Sequence, residues 1–323
     1  MASVEKTALI TGFDGFVGPY LAECIQAGNV NVAGTVYAGL EIQPHHVSAM
    51  SDSVKVHSLD LTDPESVNRL VNEVRPDQVY HLAGISHVPT SWKNPALTWN
   101  TNVMGSLYLF DALRKMEKEV SILTVTSAEV YGVVPEEDLP VTEEAPLKPV
   151  NPYAASKAAL DVMSRQWSRV EGMRVITVRP FSHTGPGQSP DFVCPGFAKQ
   201  MAEACLEKRE PVLSVGDLTA LRDFTDVRDV VRGYRLLMEK GENGQAYNIC
   251  SGQSRKISDI LEILLSFCDK EIRVESDPEK LRPVTIPETR GSSEKITSAT
   301  GWEPEIPFNK TLQDIYDHWH QKS

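Results

Sequence analysis

A short apolar run, Thr7–Ile10, opens into Thr11-Gly12-Phe13-Asp14-Gly15-Phe16-Val17-Gly18, and a helical pattern follows. No other stretch narrows the architecture as much. A strand, a glycine turn and a helix in that order form the unit that receives a dinucleotide pyrophosphate. The first glycine permits the tight turn, the second lets phosphate approach the backbone, and the third allows close helix–strand packing. The spacing is G-x-x-G-x-x-G rather than G-x-G-x-x-G, so a turn that merely needs glycine is the competing reading. Position on the chain and the flanking pattern favour the phosphate site.

Apolar runs and helical patterns alternate as far as Arg179. Asn31–Val36 and Val54–Ser58 read as the second and third strands. Asp63 and Pro64 suit an N-cap and first helical position, and Val67, Leu70, Val71 and Val74 form the stripe of the helix they start. Gln78–Leu82 is the fourth strand, and one long helix is expected after Pro95 with Leu97, Met104, Leu107 and Tyr108 on a face. Ser121–Ser127, a helix over Pro152–Val170 and a strand over Arg174–Arg179 complete the series. This rhythm predicts an α/β fold, a doubly wound parallel sheet of the Rossmann kind.

Beyond Arg179-Pro180 the rhythm breaks into glycine- and proline-rich loops. A helix with Val227, Val230, Val231, Tyr234, Leu237 and Met238, followed by Gln245–Cys250, returns to the sheet. Ile257–Phe267, Glu271–Glu275 and a terminal helix carrying Leu312, Ile315, Tyr316 and Trp319 make a smaller lobe. The expected division is a dinucleotide-binding domain over 1–178 and 223–250, with a discontinuous substrate lobe over 179–222 and 251–323. A cleft between the lobe and the carboxyl edge of the sheet is the default substrate site.

Asn151-Pro152-Tyr153-Ala154-Ala155-Ser156-Lys157 holds a phenol and an ammonium four residues apart at the head of a helix, on one face. A fixed positive charge favours phenolate and would lower the tyrosine pKa from about 10. Tyr153 is therefore a candidate proton donor or acceptor for a carbonyl/alcohol pair.

The formal charge of −12 argues against nucleic acid and membrane surfaces as partners, while leaving room for an anionic small substrate held by local arginines. Cys24, Cys194, Cys205, Cys250 and Cys268 are scattered, with no metal-ligand or redox spacing. Free thiols in a reducing cytoplasm and no metal are expected. Met1–Lys6 is short and mixed in charge, which predicts neither a leader nor a membrane span.

The glycine turn, Thr126-Ser127-Ala128-Glu129-Val130-Tyr131-Gly132 and Tyr153-x-x-x-Lys157 stand in one order across the chain. Together they resemble the extended short-chain dehydrogenase/reductase family of nucleotide-sugar epimerases, dehydratases and reductases. The resemblance implies a Ser127–Tyr153–Lys157 active site beside NADPH or NADH. Ser127 would bond the reacting oxygen, Tyr153 would move its proton, and Lys157 would hold the ribose. It implies further cofactor contacts from Gly12, Gly15, Phe16, Val17 and Gly18, from Asp60 and Leu61 at the adenine, and from Ala83 and Asn102. Thr35-Val36-Tyr37 has neither an acid for a free ribose nor an arginine for a 2′-phosphate, so the choice between the two cofactors stays open.

The segments His81–Val88, Arg179–Gln188 and Gly216–Phe224 look most like the GDP-mannose branch of that family. That implies a reductase carrying hydride to the C4 ketone of a GDP-linked 6-deoxy-4-keto sugar, GDP-4-dehydro-6-deoxy-D-mannose, to leave GDP-D-rhamnose. Arg222 and Arg282 would clamp the diphosphate, since guanidinium meets phosphate bidentately; Phe192 and Val193 would meet the sugar or nucleotide. Glu129 sits where the family's 4,6-dehydratases carry a proton-abstracting acid, so dehydration of GDP-mannose, or another nucleotide-sugar epimerase activity, is the alternative. A non-catalytic dinucleotide-binding protein is the reading from another class, and retention of both Tyr153 and Lys157 speaks against it. His87 and His183 are read as hydrogen-bonded loop residues. The resemblance also implies a homodimer joined through helices around Val103–Leu113 and Ala154–Met163.

Overall fold

The alternation resolves into a seven-stranded parallel sheet in the computed structural model, which describes residues 6–28, 30–37, 54–280 and 286–323. In chain order the strands are β1 (Thr7–Thr11), β2 (Asn31–Tyr37), β3 (Val54–Leu59), β4 (Gln78–His81), β5 (Val120–Val125), β6 (Met173–Pro180), β7 (Ser182–Thr184), β8 (Val212–Val215), β9 (Leu221–Asp226), β10 (Ala246–Ile249), β11 (Ser254–Lys256), β12 (Arg273–Ser276) and β13 (Glu288–Thr289). The large sheet runs β10-β6-β5-β4-β1-β2-β3, with every neighbouring pair parallel. Strand order reverses between β1 and β4, the switch point at which doubly wound sheets open a crevice.

Both faces are covered. Leu21, Ile25, Val230, Tyr234 and Leu237 pack on one side, and Val67, Leu70, Leu109, Phe110, Leu113 and Leu160 on the other. A fully buried side chain of this kind contributes about 1.5–3 kcal/mol, so two complete layers can carry an edge that buries charge. The helix Pro64–Val74 starts as its sequence predicts, with the Asp63 carboxylate accepting the Glu65 N–H at 3.0 Å and proline in the first turn.

The long helix expected after Pro95 is corrected. Val88–Lys93 is a separate helix, and Pro95–Trp99, capped by Asn94, passes through a π-helical turn at Asn100–Met104 into Gly105–Lys115. Each helical residue turns the chain by about 100°, so the extra residue of a π turn re-aims everything after it. Leu97 and Met104 consequently stay exposed, and Leu109, Phe110 and Leu113 form the buried face. The helix Pro152–Trp167 also ends three residues short of its expected limit.

The lobe has its own core, built from Phe197, Met201, Leu213, Ile260, Leu264, Leu312 and Ile315. β9 is its hub, pairing with β7, β11 and β13, while β12 pairs with β8. Two boundaries differ from expectation. Residues 223–226 of β9 lie in the lobe's sheet, and Ile296 and Trp302 pack into the core of the large sheet, where the Trp302 ring N–H donates to Asp229 O at 2.9 Å. The expectation of five free thiols is also corrected. Cys205, at the end of helix Val193–Cys205, is disulfide-bonded to Cys268, and Cys24, Cys194 and Cys250 are free. A sequence separation of 63 hides the pair from any spacing rule, and only closure of the lobe brings them together. Among the described residues no helix is long and apolar enough to cross a membrane.

Candidate active site

A cavity of about 1590 Å³ runs from the glycine turn, over the carboxyl edge of the sheet, to the lobe. Its central wall is the first turn of helix Pro152–Trp167. Asn151 caps that helix through Oδ1, which accepts the Ala154 N–H at 2.7 Å, and proline occupies the first turn. The cap fixes the helix start, so Tyr153 and Lys157 both reach the cavity from one face, as their spacing predicts.

Ser127 leaves the sheet just beyond β5 with extended backbone and caps the short turn Ala128–Tyr131, its Oγ accepting the Glu129 N–H at 3.1 Å. The same hydroxyl acts on the Tyr153 phenol, where it favours the ionised form. Local capping and a role at the tyrosine are thus compatible. Glu129 also lines the cavity, and one carboxylate oxygen accepts the Asn151 amide at 2.9 Å. Lys157 is buried and donates to Val125 O at 2.9 Å.

The electrostatics correct the sequence expectation. Burial pushes the Tyr153 phenol up to about 12; the Ser127 hydroxyl offsets part of this, and the Glu129 charge adds to it. Burial pulls Lys157 down to about 8. Desolvation penalises whichever form is charged, so each group leans towards neutrality instead of ionising the other. His81, bonded to the Thr11 and Ser106 hydroxyls at 2.7 Å each, is held near 3 by burial and by Lys157, and so is neutral. A protonated phenol beside a hydroxyl is arranged to give a proton to an oxygen that is gaining negative charge.

The glycine turn fits a dinucleotide. Gly12 has φ +68°, and a Cβ there would stand 2.8 Å from Ala83 Cα; at Gly18 it would stand 2.2 Å from Phe13 O. The turn therefore lies against β4 with no room for side chains. Thr35 holds it from β2, accepting the Gly12 N–H on Oγ1 at 3.1 Å and the Phe13 N–H on its carbonyl at 2.8 Å. The helix Val17–Gln26 starts at Phe16 without a side-chain cap, leaving backbone N–H groups for an anion. Gly12, Gly15, Phe16, Val17, Gly18, Asp60, Leu61 and Ala83 all line this end of the cavity.

Asn102 does not. Its Oδ1 accepts the Ile85 N–H at 2.8 Å, and its amide donates to Ile85 O at 3.0 Å and Ser156 Oγ at 2.9 Å. The π turn buries this side chain between a loop and the helix Pro152–Trp167, so it clamps the Gly84–Ser86 loop and is corrected from contact to support. At the lobe end, Phe192, Val193 and Arg222 line the cavity. The Phe192 ring meets His87 edge-on at 6.3 Å across the cleft. Arg222 projects from β9 and donates to Leu221 O at 2.8 Å. Arg282 lies outside the described residues.

Sequence reasoning missed two polar groups here. Asp14, inside the glycine turn, lines the cavity, and burial raises its pKa against the opposing pull of nearby backbone N–H groups. Asn151 was visible only as half of an Asn-Pro helix start; that signal identifies the cap but not the hold on Glu129.

A family model described as GDP-mannose 4,6 dehydratase matches residues 9–315. The GDP-6-deoxy-D-mannose reductase of Pseudomonas aeruginosa is 37% identical over 319 residues, covering 99% of each chain. The GDP-mannose 4,6-dehydratase of Vibrio cholerae is 28% identical, over 97% of this chain and 93% of that one. The solved structure of RMD from Pseudomonas aeruginosa complexed with NADPH is 36% identical and has a TM-score of 0.86, covering 98% of this chain and all of that one.

Proposed function

The chain belongs to the GDP-mannose 4,6-dehydratase family, and on that premise we propose that it is a reductase of GDP-4-dehydro-6-deoxy-D-mannose that yields GDP-D-rhamnose at the expense of NADPH or NADH. The observation that carries this reading over its neighbours is the likeness to a reductase across 99% of both chains.

The nicotinamide cofactor, when bound, supplies the hydride that goes to C4 of the sugar. Gly12, Gly15, Phe16, Val17 and Gly18 would hold its pyrophosphate, Asp60 and Leu61 would meet its adenine half, and Ala83 would contact it after β4. The Ser127 hydroxyl orients the C4 oxygen, and Tyr153 gives that oxygen its proton. A phenol held protonated by burial suits this task, because the proton stays in place until negative charge develops. Lys157 holds the ribose and, when charged, stabilises the phenolate left behind. Arg222 meets the diphosphate, with Phe192 and Val193 against the nucleotide sugar; Arg282 is proposed for the same clamp. The binding unit over 1–178 and 223–250 and the lobe over the remainder divide these tasks, with β9 and the Ile296–Trp302 segment crossing the line between them.

A homodimer is part of the proposal. Met104 and Val162 are 37% and 61% exposed on the segments expected to meet a second copy. The proposed compartment is the cytoplasm. That environment would keep Cys205 and Cys268 reduced, so thiol counting on protein isolated under native conditions tests it.

Glu129 in the cavity supports one second reading, 4,6-dehydration of GDP-mannose. A single experiment separates the two. Protein incubated with GDP-4-dehydro-6-deoxymannose and NADPH or NADH should oxidise the cofactor stoichiometrically, with the C4 configuration read by NMR. Formation of a 4-keto sugar from GDP-mannose with no net consumption of cofactor would favour dehydration. Failure to turn over any nucleotide sugar would favour a binding protein.

A further inference from the structure

Helix Val227–Lys240 packs on helix Val17–Gln26, which follows the glycine turn, and beneath β5. Its buried face joins the apolar cluster that contains Phe13, Leu123 and Val178, with Phe16, Val17 and Val125 at the margin. One residue of that face is polar at its tip. Tyr234 is fully buried and lines the cavity, and its hydroxyl has no hydrogen-bond partner among the described residues. Buried hydroxyls are nearly always satisfied by protein, water or ligand. Thr289 is also unpartnered and lines the cavity, but it sits in the lobe opposite Arg222 in the β9–β13 pairing. Tyr234 faces the other end. Val125 packs against the cluster that holds it and accepts the Lys157 ammonium on its carbonyl at 2.9 Å, which sets Tyr234 at the reacting end of the cavity.

We infer that the Tyr234 hydroxyl binds the nicotinamide end of the cofactor by exchanging a hydrogen bond with its carboxamide. This rests on the dinucleotide reading above. The carboxamide is the hydrogen-bonding group of the nicotinamide ring, offering one acceptor and two donor hydrogens, and a phenol can partner either. The residue belongs to the core around the glycine turn and not to the lobe core of Phe197, Leu213 and Ile260, so it serves the cofactor and not the sugar. It is a positioning group: it fixes the ring's rotation and so the face presented to C4.

Tyr234→Phe removes one oxygen and keeps the ring that fills the core. Calorimetric titration of wild type and variant with NADPH and with 2′-phospho-ADP-ribose, which lacks the nicotinamide, tests the inference; NADH and ADP-ribose are run in parallel. The expected result is about 3–10-fold weaker binding of the intact dinucleotide, the range for one lost neutral hydrogen bond, with the ribose fragments unchanged. Equal affinity for the dinucleotide in both proteins overturns the inference and leaves the cofactor reading standing. An equal loss for dinucleotide and fragment also overturns it, since that marks a packing role. No binding of either dinucleotide by wild type overturns both readings.

Discussion

The Asn151 side-chain amide donates to the Glu129 carboxylate at 2.9 Å while its oxygen accepts the Ala154 N–H at 2.7 Å. One residue thereby ties the start of the helix that carries Tyr153 to the turn that presents Ser127. The Ser127 and Tyr153 hydroxyls, proposed as the reacting pair, come from elements with no sequence proximity, and this side chain bridges them.

Asn151→Ala removes cap and bridge together, whereas Asn151→Ser keeps a capping oxygen and loses the amide. The alanine variant should be about 1 kcal/mol less stable than the serine variant in urea unfolding, and both should show reduced kcat. Wild-type kcat in the serine variant would remove the bridge from the mechanism.

Tyr153→Phe should lower kcat by roughly 10²–10⁴, because it deletes the positioned proton, while dinucleotide affinity stays within about threefold. Single-turnover rates and a binding titration on the same preparation check both halves. Near-normal turnover would sink the assignment of the proton donor.

Lys157 has a pKa drawn by burial to about 8, below its ordinary 10.5, so below about 8 it is an ammonium and above it an amine. If the charged form holds the ribose, NADH affinity should be flat from pH 6.5 to about 7.5 and weaken as pH rises through 8. NADH itself gains or loses no proton in that range. The same depression has a stability consequence. Between about 8 and 10.5 the unfolded chain binds more protons at this site than the folded one, so its contribution to stability rises with pH there. In Lys157→Met the penalty of burying the charge disappears, so the variant's stability advantage at pH 7 should shrink at pH 10. Flat NADH affinity up to pH 9.5 would refute the ribose role.

Arg222→Ala should raise KM for the nucleotide sugar about 10-fold or more, since a hydrogen bond to a charged group contributes about 1.5–3 kcal/mol. kcat at saturation should change little. An unchanged KM would take this arginine off the diphosphate.

Much of the site could be read in advance. The i, i+4 placing of Tyr153 and Lys157, the Asp63-Pro64 helix start and the glycine turn are local patterns whose geometry follows from the helix and strand repeats. The π turn at Asn100–Met104 was not legible, because no single residue type marks it and it re-aims a face only in company with its neighbours. Tyr234 reads as one more position on an apolar stripe, and its hydroxyl stands out only because none of the described residues supplies it a partner.

Sequence alone determined the alternation of strand and helix, the order of the motifs and the residue types that reach the sheet's carboxyl edge. These depend on interactions within a few residues, which chain geometry dictates. Tertiary structure decided which way the charges lean, which cysteines meet and which polar tips are left for a ligand. Those outcomes depend on how much water is excluded and on what segments 20 to 200 residues apart bring to one point, and no local repeat encodes either.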